Sequence, residues 1–421
     1  MPPRSPRATL KELGERIGAE SVAMATDPLN LIRVIPAQGM PHRTLSSPLS
    51  LARAGFFHVE VGMVQEVVEH QLPEVGKISP EIFEHVIKPH LGKKRSTVLV
   101  GPQHGVDVGI VDLGHGQVMA LTTDPFFIVP EYGWERAAWF AVHILASDAS
   151  TSGLAPTYFT VDLNLPRSIT RDQLEAMWVA TSAACEEIGM AIVTGHTARY
   201  DGTGYPMIGG ATVIAVGEKE KYVTPAMARV GDAVIVTKGA AIEATGLFGV
   251  TFPDRIAASL GGEIAQAAQD LFFQMSVVQD ALTAVQVGVR DEGVTAMHDA
   301  TECGVWGGLY EIADASGVGM LVDQSAIVVR PEVQAVCDLF HMDPYASISE
   351  GTLLITCRPG KAQAVVDRLA DTGVEATRVG EVVPREQGVH VVQDGREHEL
   401  RHPRIDPFWT AFATALQEVT P

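Results

Sequence analysis

Three aspartates in the first half of the chain stand at the ends of apolar segments, two of them near glycines. They are Asp107 in Gly105-Val106-Asp107, Asp124 in Leu121-Thr122-Thr123-Asp124, and Asp148 in Ser147-Asp148-Ala149-Ser150-Thr151-Ser152-Gly153. Apolar runs bury in a sheet and its covering helix, so residues at their ends are expected on loops at the rim. Carboxylates there can hold a hard cation, and Gly105 and Gly153 would let backbone turn tightly or approach a phosphate. The pattern points to a Mg-nucleotide site. Each aspartate alone also fits a turn or a helix cap, and Asp148 fits a cap of the turn after it. Together they carry more, because each ends a different apolar element.

Other chemical groups are sparser. Met297-His298-Asp299-Ala300-Thr301-Glu302-Cys303-Gly304 ends an apolar run just before a helix. Asp299 there fits an N-cap or a catalytic carboxylate in a cleft. Thr194-Gly195-His196-Thr197 puts a histidine after a short strand, with Arg199 and Tyr200 following. His196 could be a general base, a nitrogen ligand or a hydrogen-bonding surface residue. Arg199 and Tyr200 could meet an anionic substrate. Gly239, Glu243 and Gly246 lie in a turn that would face phosphate or simply pack, and Lys238 beside it is read as solvated unless it joins them.

The elements that must position these groups belong to a globular chain. It has 421 residues, 46% apolar and 19% charged, enough for two or three domains. Its net charge of -20 argues against a nucleic-acid binder and against an anionic membrane surface. Cys185, Cys303, Cys337 and Cys357 lie far apart, which suggests neither a zinc framework nor a disulfide scaffold. No run approaches the roughly 18 apolar residues of a membrane span. No apolar segment of the signal-peptide kind follows Arg4 and Arg7, so the cytoplasm is the expected compartment.

Residues 1–75 carry no chemical motif and read as an N-terminal extension with a short helix at Thr9 to Ile17. From Gly76 the pattern sharpens. Ser79-Pro80 opens a helix whose Ile82, Phe83, Val86 and Ile87 form an apolar face. Strands are expected at Val98 to Val100 and Val108 to Val111, with a hairpin turn at Gly114-His115-Gly116 and a return strand ending at Asp124. Glu135 to Ala146 reads as a helix, with Asp148 directly after it. Phe159, Val161, Leu163 and Leu165 alternate with polar residues along one strand. Thr170 to Gln173 is a capping box for a helix ending near Gly189. In the second half, Ala233 to Thr237 is a buried strand, Val305 to Ala315 a helix, and Ala376 to Val383 the last ladder strand. Strands and helices mix throughout, so the class is α/β or α+β. The divisions fall at 76–229, 230–394 and a tail at 395–421.

The order of these motifs resembles the aminoimidazole ribonucleotide synthetase (PurM-like) superfamily over roughly 76–390. Asp148 with Gly153 and Pro156 matches its Asp, four residues, Gly, two residues, Pro pattern. Thr123-Asp124 matches its Thr-Asp, and Gly105-Val106-Asp107 sits where relatives have Gly-Asp-Asp. His298-Asp299-Ala300-Thr301 and Glu350-Gly351-Thr352-Leu353-Leu354 resemble elements of its second domain. Gly76 to Phe83 and Leu99-Val100-Gly101-Pro102 look most like the hydrogenase-maturation carbamoyl dehydratase (HypE-like) branch. The resemblance implies a PurM-like N-terminal domain whose sheet pairs into a dimeric barrel, then a PurM-like C-terminal α/β domain. It also implies ATP in the cleft between them and a homodimer. Asp107, Asp124 and Asp148 would then be the Mg²⁺-phosphate carboxylates, with Asp299 in the same cleft.

This chain also departs from its relatives. They commonly carry an acid where His196 stands. The carbamoyl dehydratase branch bears its substrate on a C-terminal cysteine, but none follows Cys357 here, so that chemistry is expected to be absent. The early reactive cysteine of selenophosphate synthetases is missing. The paired acid of thiamine monophosphate kinases is replaced by Val106. The expectation is an ATP-dependent enzyme transferring phosphoryl to an oxygen of an unassigned small molecule. The competing expectation is a non-catalytic nucleotide-binding or assembly module.

Overall fold

The computed structural model describes residues 78–419. The N-terminal extension expected over 1–75, with its helix at Thr9 to Ile17, lies outside the described residues. Ser79 caps the first helical turn, accepting from Ile82 N at 3.3 Å, with Pro80 at the first position. The apolar face expected there is not buried: Val86 is 59% exposed. The segment leaves α geometry by Phe83 and is 3-10 by Lys88–His90, where Pro89 offers no N–H to continue an α ladder.

The first domain is a six-stranded sheet in the order β1-β2-β3-β6-β4-β5. Its strands are β1 (Val98–Val100), β2 (Gly109–Gly114), β3 (Gln117–Phe127), β4 (Pro156–Leu165), β5 (Ala191–Arg199) and β6 (Met207–Glu218). Every pair is antiparallel except β4 with β5. A parallel pair needs a crossover, and the helix Arg171–Ile188 supplies it. That helix opens on the expected capping box, Thr170 with Gln173, and ends on left-handed Gly189. It packs with the helix Trp134–Ser150 against Phe159, Val161, Leu163 and Leu165 of β4.

Among the described residues, the barrel expected from the resemblance is not present. The sheet is open: β1 and β5 each have one neighbour, and neither sheet closes on itself. A three-residue β1 at one edge offers too little ladder to meet the nine-residue β5 at the other.

The second domain holds a seven-stranded sheet in the order β13-β12-β9-β11-β7-β10-β8. Its strands are β7 (Ala233–Thr237), β8 (Val294–Asp299), β9 (Gly319–Asp323), β10 (Leu353–Cys357), β11 (Ala376–Val383), β12 (Val389–Gln393) and β13 (Arg396–Glu399). The ladder thus runs two strands past the expected last one. Residues of β7, β8 and β10 are buried throughout, as strands covered on both faces must be. Val234 and Val236 face a core with Leu309 and Ile312, whereas Ala233 and Ile235 face another with Val365 and Leu369.

The two domains share apolar packing. Phe140 of the first domain and Phe272 of the second have ring centroids 5.8 Å apart. Phe248 in the helix Ile242–Thr251 joins the same core. Continuous packing fixes the cleft between the sheets, because close-packed interiors yield little. The tail ends in a helix, Pro407–Val419, whose Phe408 and Phe412 close over Phe248.

Candidate functional site

Each expected aspartate is placed by a different element, and two differ from the loop positions expected. Asp107 lies in the extended stretch between the turn at Gln103–Val106 and β2. Asp124 is inside β3, paired with Ala211, because the strand runs on to Phe127. Asp148 is in the last turn of the helix Trp134–Ser150 and caps nothing. That helix outlasts its polar run because Ser150 and Thr151 return their hydroxyls to backbone oxygens of Ala146 and Asp148.

Asp148 and Asp124 nonetheless reach one place. Thr122 and Asp124 share a face of β3, and the Thr122 hydroxyl donates to Asp148 Oδ2 at 3.1 Å. Asp148 is buried, and its pKa is well above the carboxylate range. Burial is the largest cause, followed by the charges of Asp299, Asp107 and Asp124. A charge raises a carboxyl's pKa only from nearby, so both domains deliver acids to one spot.

The second domain contributes the end of β8. Its His298 is 1% exposed and Asp299 is fully buried. Asp299 does not cap a helix, and neither of its oxygens makes an aligned hydrogen bond. Burial works against its ionisation, but His298 beside it wins and holds its pKa below the ordinary value. His298 Nδ1 lies 3.4 Å from Asp299 Oδ1 and 3.6 Å from Asp107 Oδ2. Its Nε2 meets Glu311 Oε2 at 2.8 Å. Burial pulls the imidazole down, but the Asp299 and Glu311 carboxylates and then Asp107 push it up to about 10.

β10 pairs with β8, Leu353 opposite Asp299, which brings the preceding Glu350 to the cleft. Glu350 is buried and its Oε2 has no hydrogen-bond partner. Burial, then the charges of Asp299 and Glu243, raises its pKa well above the usual range. Glu350 N donates to Glu243 Oε2 at 2.9 Å. Burial pushes Glu243, which keeps a partly exposed edge, up to about 8 against that hydrogen bond.

Two glycines are explained by close approach. Gly105 has φ +70, and a Cβ there would lie 3.0 Å from Glu311 Cβ and 3.2 Å from its backbone oxygen. The loop carrying Asp107 is thereby pressed onto the helix Gly304–Ser316 that carries Glu311. Gly153, φ +74, turns the chain after Asp148, and a Cβ there would meet Val285 Cγ1 at 3.1 Å.

His196 stands elsewhere. It is within β5 and not on a loop, opposite Asp162 of β4. It lines a cavity of about 390 Å³ on the other face of the first sheet, with Thr123, Thr160, Thr194 and Thr212. Its Nε2 is 3.0 Å from the Tyr200 hydroxyl. Arg199 reaches the backbone oxygen of Ile169. Lys238, read as solvated, is 9% exposed and pairs with Asp280 at 2.9 Å.

Sequence reasoning passed over Glu311, and Glu350 entered only as part of a resemblance. Glu311 had a signal, as an acid within Val305 to Ala313, a run buried nearly throughout. A charged residue among apolar ones on a helix asks for a partner.

The chain matches the model of AIR synthase related protein, N-terminal domain, over residues 105–228. The C-terminal domain model of the same family follows over 229–393. Carbamoyl dehydratase HypE of Cupriavidus necator is 29% identical over 301 residues, 69% of this chain and 80% of that protein. Its counterpart in Escherichia coli is 27% identical over 302 residues, covering 70% and 85%. The crystal structure of E. coli HypE aligns with a TM-score of 0.56 at 25% identity, over 69% of this chain and 87% of that one. Thiamine monophosphate kinase from Aquifex aeolicus shares the fold, with a TM-score of 0.54 at 19% identity over 82% and 100%. The two carbamoyl dehydratases are enzymes by name, and homology to them supports a catalytic function here. With both domain models matched in sequence and the motifs of each domain meeting in one cleft, the chain belongs to the AIR synthase related family.

Proposed function

We propose that this protein is an ATP-dependent enzyme that transfers phosphoryl from Mg-ATP to an oxygen of a small-molecule acceptor. The observation that carries the reading is the meeting of Asp107, Asp124 and Asp148 with Asp299 of the other domain. Asp148 and Asp299 are buried, Asp107 is half-buried and Asp124 is exposed, and buried carboxyl groups with further acids beside them are costly unless a cation or protons relieve them. The oxygen-only set of Asp107, Asp124 and Asp148 suits Mg²⁺, which keeps several waters and takes one or two carboxylates directly. When bound, that ion would neutralise charge on the transferred group.

This chain's residues would do the rest. Thr122 orients Asp148 through its hydroxyl. Packing between the domains holds the second-domain acid against the first-domain trio, and such positioning is most of what phosphoryl transfer asks of a protein. His196, on the far face of the sheet, is assigned no step. The proposal includes a homodimer, supported by the exposed apolar residues Tyr158, Val193, Met207 and Val216. A monomer mass by light scattering would remove that part. It also includes the cytoplasm, where ATP is found and where the free, buried cysteines would stay reduced.

The test is ADP release with Mg-ATP against a panel of hydroxyl, carboxyl and amide acceptors. Acceptor-stimulated ADP release that Asp299→Asn abolishes is the expected result. Mg-ATP binding without turnover for any acceptor would favour the nucleotide-binding module instead.

A further inference from the structure

His298 is not explained by a set of oxygen ligands. Its ring is 1% exposed, and Nδ1 has no aligned hydrogen-bond partner. Nδ1 points between Asp107 Oδ2 at 3.6 Å and Asp299 Oδ1 at 3.4 Å. One ligand atom from each of Asp107, His298 and Asp299 falls within 4.8 Å of the others. Two ligands about 2.1 Å from a metal at a tetrahedral angle lie roughly 3.4 Å apart, so these spacings suit one cation.

The other ring nitrogen supports this. Nε2 is held by Glu311 at 2.8 Å, and Gly105 presses the Asp107 loop against the same glutamate. A carboxylate on the far nitrogen of a ligating histidine fixes the ring and strengthens its donor atom. His402 from the tail stands 3.9 Å from the other Glu311 oxygen. An imidazole nitrogen with carboxylates suits Mn²⁺, Fe²⁺ or Zn²⁺, whereas Mg²⁺ prefers oxygen alone.

We infer that Asp107, His298 and Asp299 form a second cation position, distinct from the Mg-ATP carboxylates except for shared Asp107, that takes a first-row transition metal. The position rests on the cleft described above but not on nucleotide chemistry. A metal that takes Nδ1 displaces the proton held there, so binding releases a proton. Glu311 is a positioning residue acting through His298.

The test uses Mn²⁺ alone on the full-length chain, without nucleotide, followed by pulsed electron paramagnetic resonance. The expected result is bound Mn²⁺ with a nitrogen coupling that changes on ¹⁵N-histidine labelling and disappears in His298→Gln. Glu311→Gln should keep the coupling and weaken Mn²⁺ binding by about 10–100-fold. Because His298 is buried, the isotope shift in the unmodified protein decides the matter where the variant does not fold. Bound Mn²⁺ without a histidine coupling, or no Mn²⁺ binding, overturns the inference. Mg-ATP calorimetry on the same sample separates the two readings. A histidine-bound Mn²⁺ without Mg-ATP binding removes the nucleotide reading alone. The reverse pattern removes only the metal position.

Discussion

A carboxyl group with no room for water either finds a cation or keeps its proton. Asp148 and Glu350 are raised in this way, while His298 keeps Asp299 ionised between them. Away from the candidate ligands the same physics acts on Glu243, raised to about 8, and Asp406, raised to about 7. Burial leads in both. The folded chain holds these protons while the unfolded chain releases them from roughly pH 4 upward. Stability from this source is therefore complete below the ordinary carboxyl range and is lost as pH rises through the folded values. Urea unfolding in a chelator should show a midpoint that falls between pH 5 and pH 8. Glu243→Gln should flatten part of that slope, on the order of 1 kcal/mol. A midpoint constant over this range would contradict the assignment. The aspartates carried a signal in the sequence: nearby glycines for Asp107 and Asp148, and for Asp124 its place after an apolar strand. Glu311 was not, because its importance comes from a histidine thirteen positions earlier that only the fold brings into contact.

Elements carry these residues to the cleft, and their boundaries were harder to read. β3 was expected to stop at Asp124, yet Phe126 and Ile128 are fully buried, so the chain continues past it. The helix Trp134–Ser150 was expected to end before Asp148, yet the hydroxyls of Ser150 and Thr151 are satisfied on the preceding turn. Ser147 also accepts from Val277 N of the second domain at 3.0 Å. Tertiary partners thus override local signals for a loop. By contrast, the capping box at Thr170 and the hairpin at His115-Gly116 were legible, since each is satisfied within a few residues. The element most exposed to substitution is the turn before Asp107. Gly105→Ala adds a left-handed strain of about 1–2 kcal/mol and a Cβ against Glu311. The melting temperature should fall, and Mn²⁺ affinity should fall with it, since the loop can no longer approach the helix. An unchanged melting temperature would mean the turn relaxes freely.

At the scale of the molecule, the α/β class and the two family domains followed from the order of motifs. The closed barrel did not, because sheet closure depends on strand length and edge pairing that motifs do not encode. What the motifs also left unread was the packing shared between domains. Phe248, buried completely, touches Phe340 at 4.2 Å between centroids and the tail's Phe408 at 5.7 Å. Phe248→Ala should cost about 3–5 kcal/mol, and denaturation should stay a single transition by circular dichroism and tryptophan fluorescence alike. Separate transitions for the two domains would show that the common core does not couple them. The account as a whole rests on Asp107, Asp124 and Asp148 gripping one cation and its triphosphate, with Asp299 of the second domain brought beside them. Calorimetric titration of Mg-ATP into the wild-type chain and into Asp124→Asn tests that most directly. The predicted result is Mg-dependent binding to the wild type, weakened roughly tenfold or more in the variant as a charge-assisted contact is lost, with the fold intact by circular dichroism. Equal affinity in both proteins, or no binding to the wild type, would contradict it.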